Sequence, residues 1–226
     1  MEINANFEER AVVHAGNIEW IPSPMAGVDR RMLDRIGDEV ARATSIVRYA
    51  PGSSFSAHTH TGGEEFLVLE GVFQDEHGDF PAGTYVRNPP TSNHVPRSDG
   101  GCVIFVKLWQ FDMDDRHQIS VNTNSATWNQ HPQNIGIELL DLHHDEQEKV
   151  CMERWQPGLA VKLLSQYGLE LLVTKGSYTE DGQEFEIQSW LRLPANSETE
   201  VIAGPQGCTV WIKRDHLKET PQPPQV

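Results

Sequence analysis

Four side chains in the first half of this 226-residue chain have types and spacings that suit a metal ion. His58 and His60 are two apart, which on a β-strand puts both imidazoles on one face. Glu64 follows four residues after His60 at the same parity, beyond a Gly62-Gly63 turn, and Glu65 would face the other way. His94 brings a third imidazole from a separate segment. Neutral imidazoles donate ring-nitrogen lone pairs and a carboxylate offsets part of the ion's charge, a donor set that suits Zn, Fe(II), Mn(II), Ni(II) or Cu(II). An octahedral ion would keep two positions open and a tetrahedral one at most one. The competing reading, a satisfied polar cluster, is disfavoured because burying four titratable groups with no metal is costly.

The other candidates read more plainly. His143-His144-Asp145-Glu146 is expected to be a solvated turn rather than a second metal site, since neighbouring strand side chains point apart. His77 falls in an acidic loop, and His14, His117, His131 and His216 have no partner by spacing. Cys102, Cys151 and Cys208 are too few and too far apart for a disulfide framework and sit in or beside apolar runs, so they are expected to be inert core thiols with no basic neighbour.

The elements that must position these residues come in two copies. Gly101 to Lys107 (GCVIFVK) reappears as Gly207 to Lys213 (GCTVWIK), and Arg48-Tyr49-Ala50-Pro51-Gly52 as Arg154-Trp155-Gln156-Pro157-Gly158, both at an offset of 106 (Gly101 to Gly207, Arg48 to Arg154). Tyr85 to Pro89 matches Trp190 to Pro194 at 105 (Tyr85 to Trp190). Three anchors in one order imply two modules, at residues 1–115 and 128–216, with a loose Pro- and Gln-rich tail at 217–226. Short apolar runs such as Glu65 to Leu69 and Cys102 to Val106, punctuated by Gly and Pro, predict an all-β sandwich or barrel. The stretch from Gly27 to Arg42 has helical spacing and is expected to be irregular or a short helix.

The second copy is a built-in control. At offset 106, His58 becomes Leu164 and His60 becomes Gln166; His94 falls on Thr199 or Glu200, and Glu170 matches Glu64 or Glu65. No metal is expected there.

Gly52, His58, His60, Glu64 and Gly71 resemble the first motif of the cupin superfamily, G-x5-H-x-H-x3/4-E-x6-G, and Gly83, Pro89 and His94 resemble the second. Thr91 and Ser98 stand at turn positions where the superfamily has Gly and Asn. The wording HTHTGGEEFLVLEGVFQDEHGDFPAGTYVRNPP is similar to the cupin domain of ChrR-type anti-sigma factors and their stand-alone relatives. The resemblance implies two tandem double-stranded β-helix (jelly-roll) modules. It also implies one divalent metal per chain, zinc first and Fe, Mn or Ni as alternatives, held by His58, His60, Glu64 and His94. The helical zinc domain with which such anti-sigma factors grip their sigma factor has no counterpart here, because the chain lacks a CxxC.

The expected function is therefore a sensing or regulatory protein in a stress or oxidant response, with a small ligand or oxidant at the metal and a possible protein partner. The alternatives are an Fe-type dioxygenase acting on a small chelating substrate such as a diketone, and a scaffold whose metal only cross-links the barrel. A net charge of −15 argues against nucleic acid and anionic lipid as partners. The opening MEINANFEER has neither a positive n-region nor an apolar h-region, and no run approaches a membrane span, so a cytoplasmic location is expected. A homodimer is implied by resemblance only.

Overall fold

A computed structural model describes residues 1–38 and 40–224. Among these residues there is no α-helix, and one 3-10 turn at Ala15–Asn17 interrupts a succession of strands. Among the described residues no helix is long and apolar enough to cross a membrane. The backbone divides into two compact units: Met1–Ala5 and Glu19–Ala126 with the chain end from Gln222, and Asn6–Ile18 with Thr127–Pro221.

In the first unit the main sheet runs Val28–Gly37, Ala41–Tyr49, Cys102–Leu108, Glu64–Asp75, Thr84–Asn88, Ile119–Asn122, antiparallel throughout. The second unit repeats that order with Ile137–His144, Lys149–Trp155, Ser197–Arg214, Leu169–Glu180, Ser189–Leu193 and, last, Ala11–His14. The two sixth strands hold the same place. Val86 faces Ser120 in one unit and Leu191 faces Val12 in the other. The first unit takes this strand from the end of its own Glu19–Ala126 segment, whereas the second takes it from near the N-terminus of the chain.

Burial follows the pleat. Ala160–Ser165 alternates exposed and buried residue by residue, the signature of a strand with one wet face. Thr84–Asn88 and Ser189–Leu193 are buried on both faces. The first core gathers Phe66, Val68, Phe73, Val86, Ile104 and Val106 around the barrel interior; each such side chain withdrawn from water contributes about 1.5–3 kcal/mol. The long strand kinks at the same place in both units. Gly71 (φ 70°) and Gly176 (φ 72°) adopt left-handed backbone where a Cβ would lie 2.1 Å from the carbonyl oxygens of Gly101 and Gly207, so only glycine fits.

The expected irregular or helical stretch from Gly27 to Arg42 is instead a strand, Val28–Gly37, paired with Ala41–Tyr49 from Val28↔Tyr49 to Gly37↔Ala41. Its ladder shifts register between Met32 and Asp34, and the bulge breaks the two-residue alternation, leaving apolar spacing that mimics a helical face. At the other end of the chain Leu217 is buried, its N–H donating to the Tyr167 carbonyl, and residues 219–224 follow without strand or helix.

Candidate metal centre

The site is assembled by a small ladder that stands apart from the main sheet. His58–Thr59 pairs with Asn93–His94, setting His58 directly across from His94. The chain then locks His60 in place: its N–H donates to the Ser92 carbonyl (2.8 Å), and its carbonyl accepts from Thr91 N–H (2.9 Å). Gly62 and Gly63 make the turn that returns the chain to the wall at Glu64. A Cβ at Gly62 would sit 2.1 Å from the Trp109 ring, and one at Gly63 2.5 Å from Phe111. Trp109 N–H donates to the Gly63 carbonyl (3.2 Å), and the Arg87 guanidinium lies over Phe111 (3.9 Å).

One ring nitrogen from each of His58, His60 and His94 lies within 4.8 Å of the others, so the cluster can hold a metal ion. The Nε2 atoms of His60 and His94 are 3.0 Å apart, and Glu64 Oε2 is 3.4 Å from the first and 3.7 Å from the second. His60, Glu64 and His94 are buried and His58 is exposed, so the cluster meets solvent on the His58 side. The donor set fits a borderline divalent ion. His58 Nδ1 faces the Ser56 carbonyl (3.3 Å), an acceptor only, and His94 Nδ1 faces Asp75 Oδ2 (3.1 Å). In the neutral His94 ring, Nδ1 therefore carries the proton and Nε2 keeps its lone pair.

Electrostatics separate the two buried imidazoles. Burial lowers the His60 pKa, and the neighbouring His94 and His58 add to this against the pull of Glu64. Burial also acts to lower His94, but the hydrogen bond to Asp75, with Glu64 behind it, outweighs it and the pKa is raised. Burial would raise Asp75, yet the bonds from His94 and from His77 N–H hold it below the usual carboxylate range.

Glu64 and Glu65 part company as strand geometry requires. Glu65 points out of the cluster and is buried, accepting from the Tyr85 hydroxyl (3.0 Å) beside Arg87. Asn88 Nδ2 reaches Glu64 at 3.3 Å.

The second unit shows what the module does without these ligands. There Leu163 faces Thr199 where His58 faces His94, and Ser165 faces Ser197 where His60 N–H meets Ser92. Glu170 pairs with Arg192 and Lys213 as Glu65 pairs with Arg87 and Lys107, so Leu169 holds the place of Glu64. The counterparts of the four residues are Leu163, Ser165, Leu169 and Thr199, not the Leu164 and Gln166 given by an offset of 106. One residue drops out after Gly52 and Gly158, and a single-residue slip carries a strand side chain to the opposite face. Leu164 is indeed 57% exposed, whereas Leu163 is fully buried.

Sequence reasoning missed Asp75, which stood in what read as an acidic loop but ends the Glu64–Asp75 strand. No spacing ties it to His94. Several histidines without a partner by spacing have one in space. His14 bonds Ser189 Oγ (3.0 Å) and the Gln183 amide, and His216 lies 3.5 Å from Glu170. His117 lies 3.3 Å from Asp115, and His131 Nδ1 accepts from the N–H groups of Gln133 and Asn134. His143 and His144 close a strand rather than forming a turn, and His143 pairs with Asp145 at 2.8 Å. The three cysteines are buried and free. Cys151 does have a basic neighbour, Arg214 at 3.6 Å, but burial prevails and pushes its pKa up to about 12.

The repeat seen in the sequence and in the strand order is also a family signature. Residues 8–112 and 116–218 each match the model of the ChrR cupin-like domain. The chain belongs to the ChrR cupin-like family. No curated protein matches this ChrR cupin-like chain in sequence. Among solved structures, a presumed dioxygenase from Nostoc punctiforme is 15% identical, with a TM-score of 0.71 over 98% of this chain and 87% of that one. Protein YlbA from Escherichia coli is 14% identical, with a TM-score of 0.67 over 92% of each chain. The pirin YhhW from the same organism, in complex with nickel(II), is 13% identical, with a TM-score of 0.65 over 91% of this chain and 99% of that one. At these identities the likeness is one of fold: the ChrR cupin-like chain is all-β, with two tandem cupin modules.

Proposed function

We propose that the first module of this ChrR cupin-like protein holds one divalent transition metal, zinc first, through His58, His60, Glu64 and His94, and serves as a sensing or regulatory module. One observation carries this reading: ring nitrogens of His58, His60 and His94 gather within 4.8 Å of one another, Glu64 Oε2 stands 3.4 Å from His60 Nε2 and 3.7 Å from His94 Nε2, and His60, Glu64 and His94 are buried while His58 faces solvent. A bound ion would supply Lewis acidity and a site for a small ligand or oxidant. The chain's residues do the rest. Ser56 and Asp75 aim two of the imidazoles, and Glu64 brings negative charge into the wall. The short ladder bearing His58 and His94 lies apart from the main sheet, so a change of ligation at His58 would reshape an exposed segment that a protein partner can read. The net charge of −15 fits a protein or small-molecule partner better than nucleic acid or a membrane surface. Buried free thiols fit a reducing cytoplasm.

A second reading, an Fe-type dioxygenase acting on a small chelating substrate such as a diketone, draws on the fold shared with the presumed dioxygenase from Nostoc punctiforme. Metal analysis of the protein purified without a metal-affinity tag separates the two. Zinc, together with a specific protein captured by the native chain and lost on His60→Ala, supports regulation. Iron with oxygen uptake on a diketone supports the oxygenase. Metal at background after equilibration with Zn(II), Fe(II), Mn(II) and Ni(II) sinks both.

A further inference from the structure

The long strand of the first module ends on a carboxylate aimed at the back of His94. Asp75 is 8% exposed; one of its oxygens accepts from His77 N–H (2.7 Å) and the other lies 3.1 Å from His94 Nδ1. An ionised carboxylate only accepts, so this contact requires the proton on Nδ1 and, in the neutral ring, leaves Nε2, the atom facing His60 and Glu64, with its lone pair. The Phe73 ring lies 5.8 Å from the His94 ring.

The second module keeps this slot while losing the cluster. Glu180 ends the matching strand at the position of Asp75, and Thr199, at the position of His94, donates to it through Oγ1 (2.6 Å). Glu180 also pairs with Arg10. A carboxylate at the strand end therefore has a structural use of its own, and loss of stability on removing Asp75 would not identify its role toward a metal.

We propose that Asp75 is a positioning residue for the metal centre, fixing the tautomer and orientation of His94 so that Nε2 is presented to the ion. The proposal rests on the ligand set given above.

Two readouts test it. Long-range 1H–15N spectra of the metal-free wild type at a pH where His94 is neutral should show its proton on Nδ1, with Nε2 unprotonated. In a competition titration with Co(II), Asp75→Leu should weaken binding by about 10- to 100-fold. Asp75→Asn, which keeps a neutral acceptor, should fall between Asp75→Leu and wild type. A proton on Nε2 in the wild type, or Asp75→Leu or Asp75→Asn binding Co(II) within twofold of wild type, overturns the proposal. Should Asp75→Leu not fold, the wild-type tautomer and Asp75→Asn decide. Failure of the wild type to bind Co(II), or equal binding by His60→Ala, removes the ligand set instead, and the tautomer spectrum still reports on the Asp75–His94 pair alone.

Discussion

The Nε2 atoms of His60 and His94 stand 3.0 Å apart inside the barrel wall. Two ring nitrogens this close could both reach a single divalent ion. In the second module Ser165 and Thr199 take these two places, with Leu163 and Leu169 in those of His58 and Glu64. The expected stoichiometry is therefore one ion per chain. Native mass spectrometry of the wild type should show a single metal adduct. His60→Ala should abolish it, and Leu163→Ala should leave it unchanged.

Metal binding should also stabilise the fold by mass action, since the unfolded chain does not gather these four groups. At a free ion concentration 100 times the dissociation constant the gain is about 2.7 kcal/mol. Calorimetry with and without a chelator should show a lower melting temperature in the stripped wild type and no such difference in His60→Ala. An equal effect of the chelator on both would count against this site.

Thr91 has φ 76°, a left-handed conformation that a β-branched residue tolerates poorly. The strain explains why the cupin motif places glycine there. Thr91→Gly should stabilise the protein by about 1 kcal/mol, read as a higher urea midpoint at an unchanged slope. A lower midpoint would mean that the side chain contributes more than the strain costs.

Gly62 has no room for a methyl group, because its Cβ would lie 2.1 Å from the Trp109 ring. Gly62→Ala should cost about 1–3 kcal/mol by overpacking and should displace the turn between His60 and Glu64. Weakened Co(II) binding by the folded fraction, partly restored by a smaller residue at position 109, is the expected result. Wild-type binding and stability would show that the turn is slack.

The cysteines give a pH dependence of definite sign. Burial pushes the thiol of Cys102 up to about 11 and those of Cys151 and Cys208 up to about 12, against about 8.5 in an unfolded chain. The unfolded state thus loses these protons first. Their contribution to stability is fully present below about pH 8.5 and is lost as pH rises toward 11–12. Urea midpoints should fall across that alkaline range, and less steeply when Cys208 is replaced by Ala. A thiol reagent at pH 8 should label the folded protein only as fast as it opens.

The chain order of the residues exposed the repeat, the β class and the His58, His60, Glu64, His94 pattern, because these are local signals: strand parity, turn residues and spacing. Parity also separated Glu64 from Glu65. The burial of Glu65 against Tyr85 and Arg87 was decided by strand pairing between distant segments. The same is true of Asp75 behind His94, which is 19 residues away and follows no sequence period. The register of the second copy, Leu163 rather than Leu164, turned on one missing residue that only the ladder locates. The place of Ala11–His14 beside Ser189–Leu193 joins segments more than 170 residues apart. Local pattern determines which face of a strand a side chain takes. Which partner it meets there depends on backbone pairing across long loops, and no short-range period encodes that.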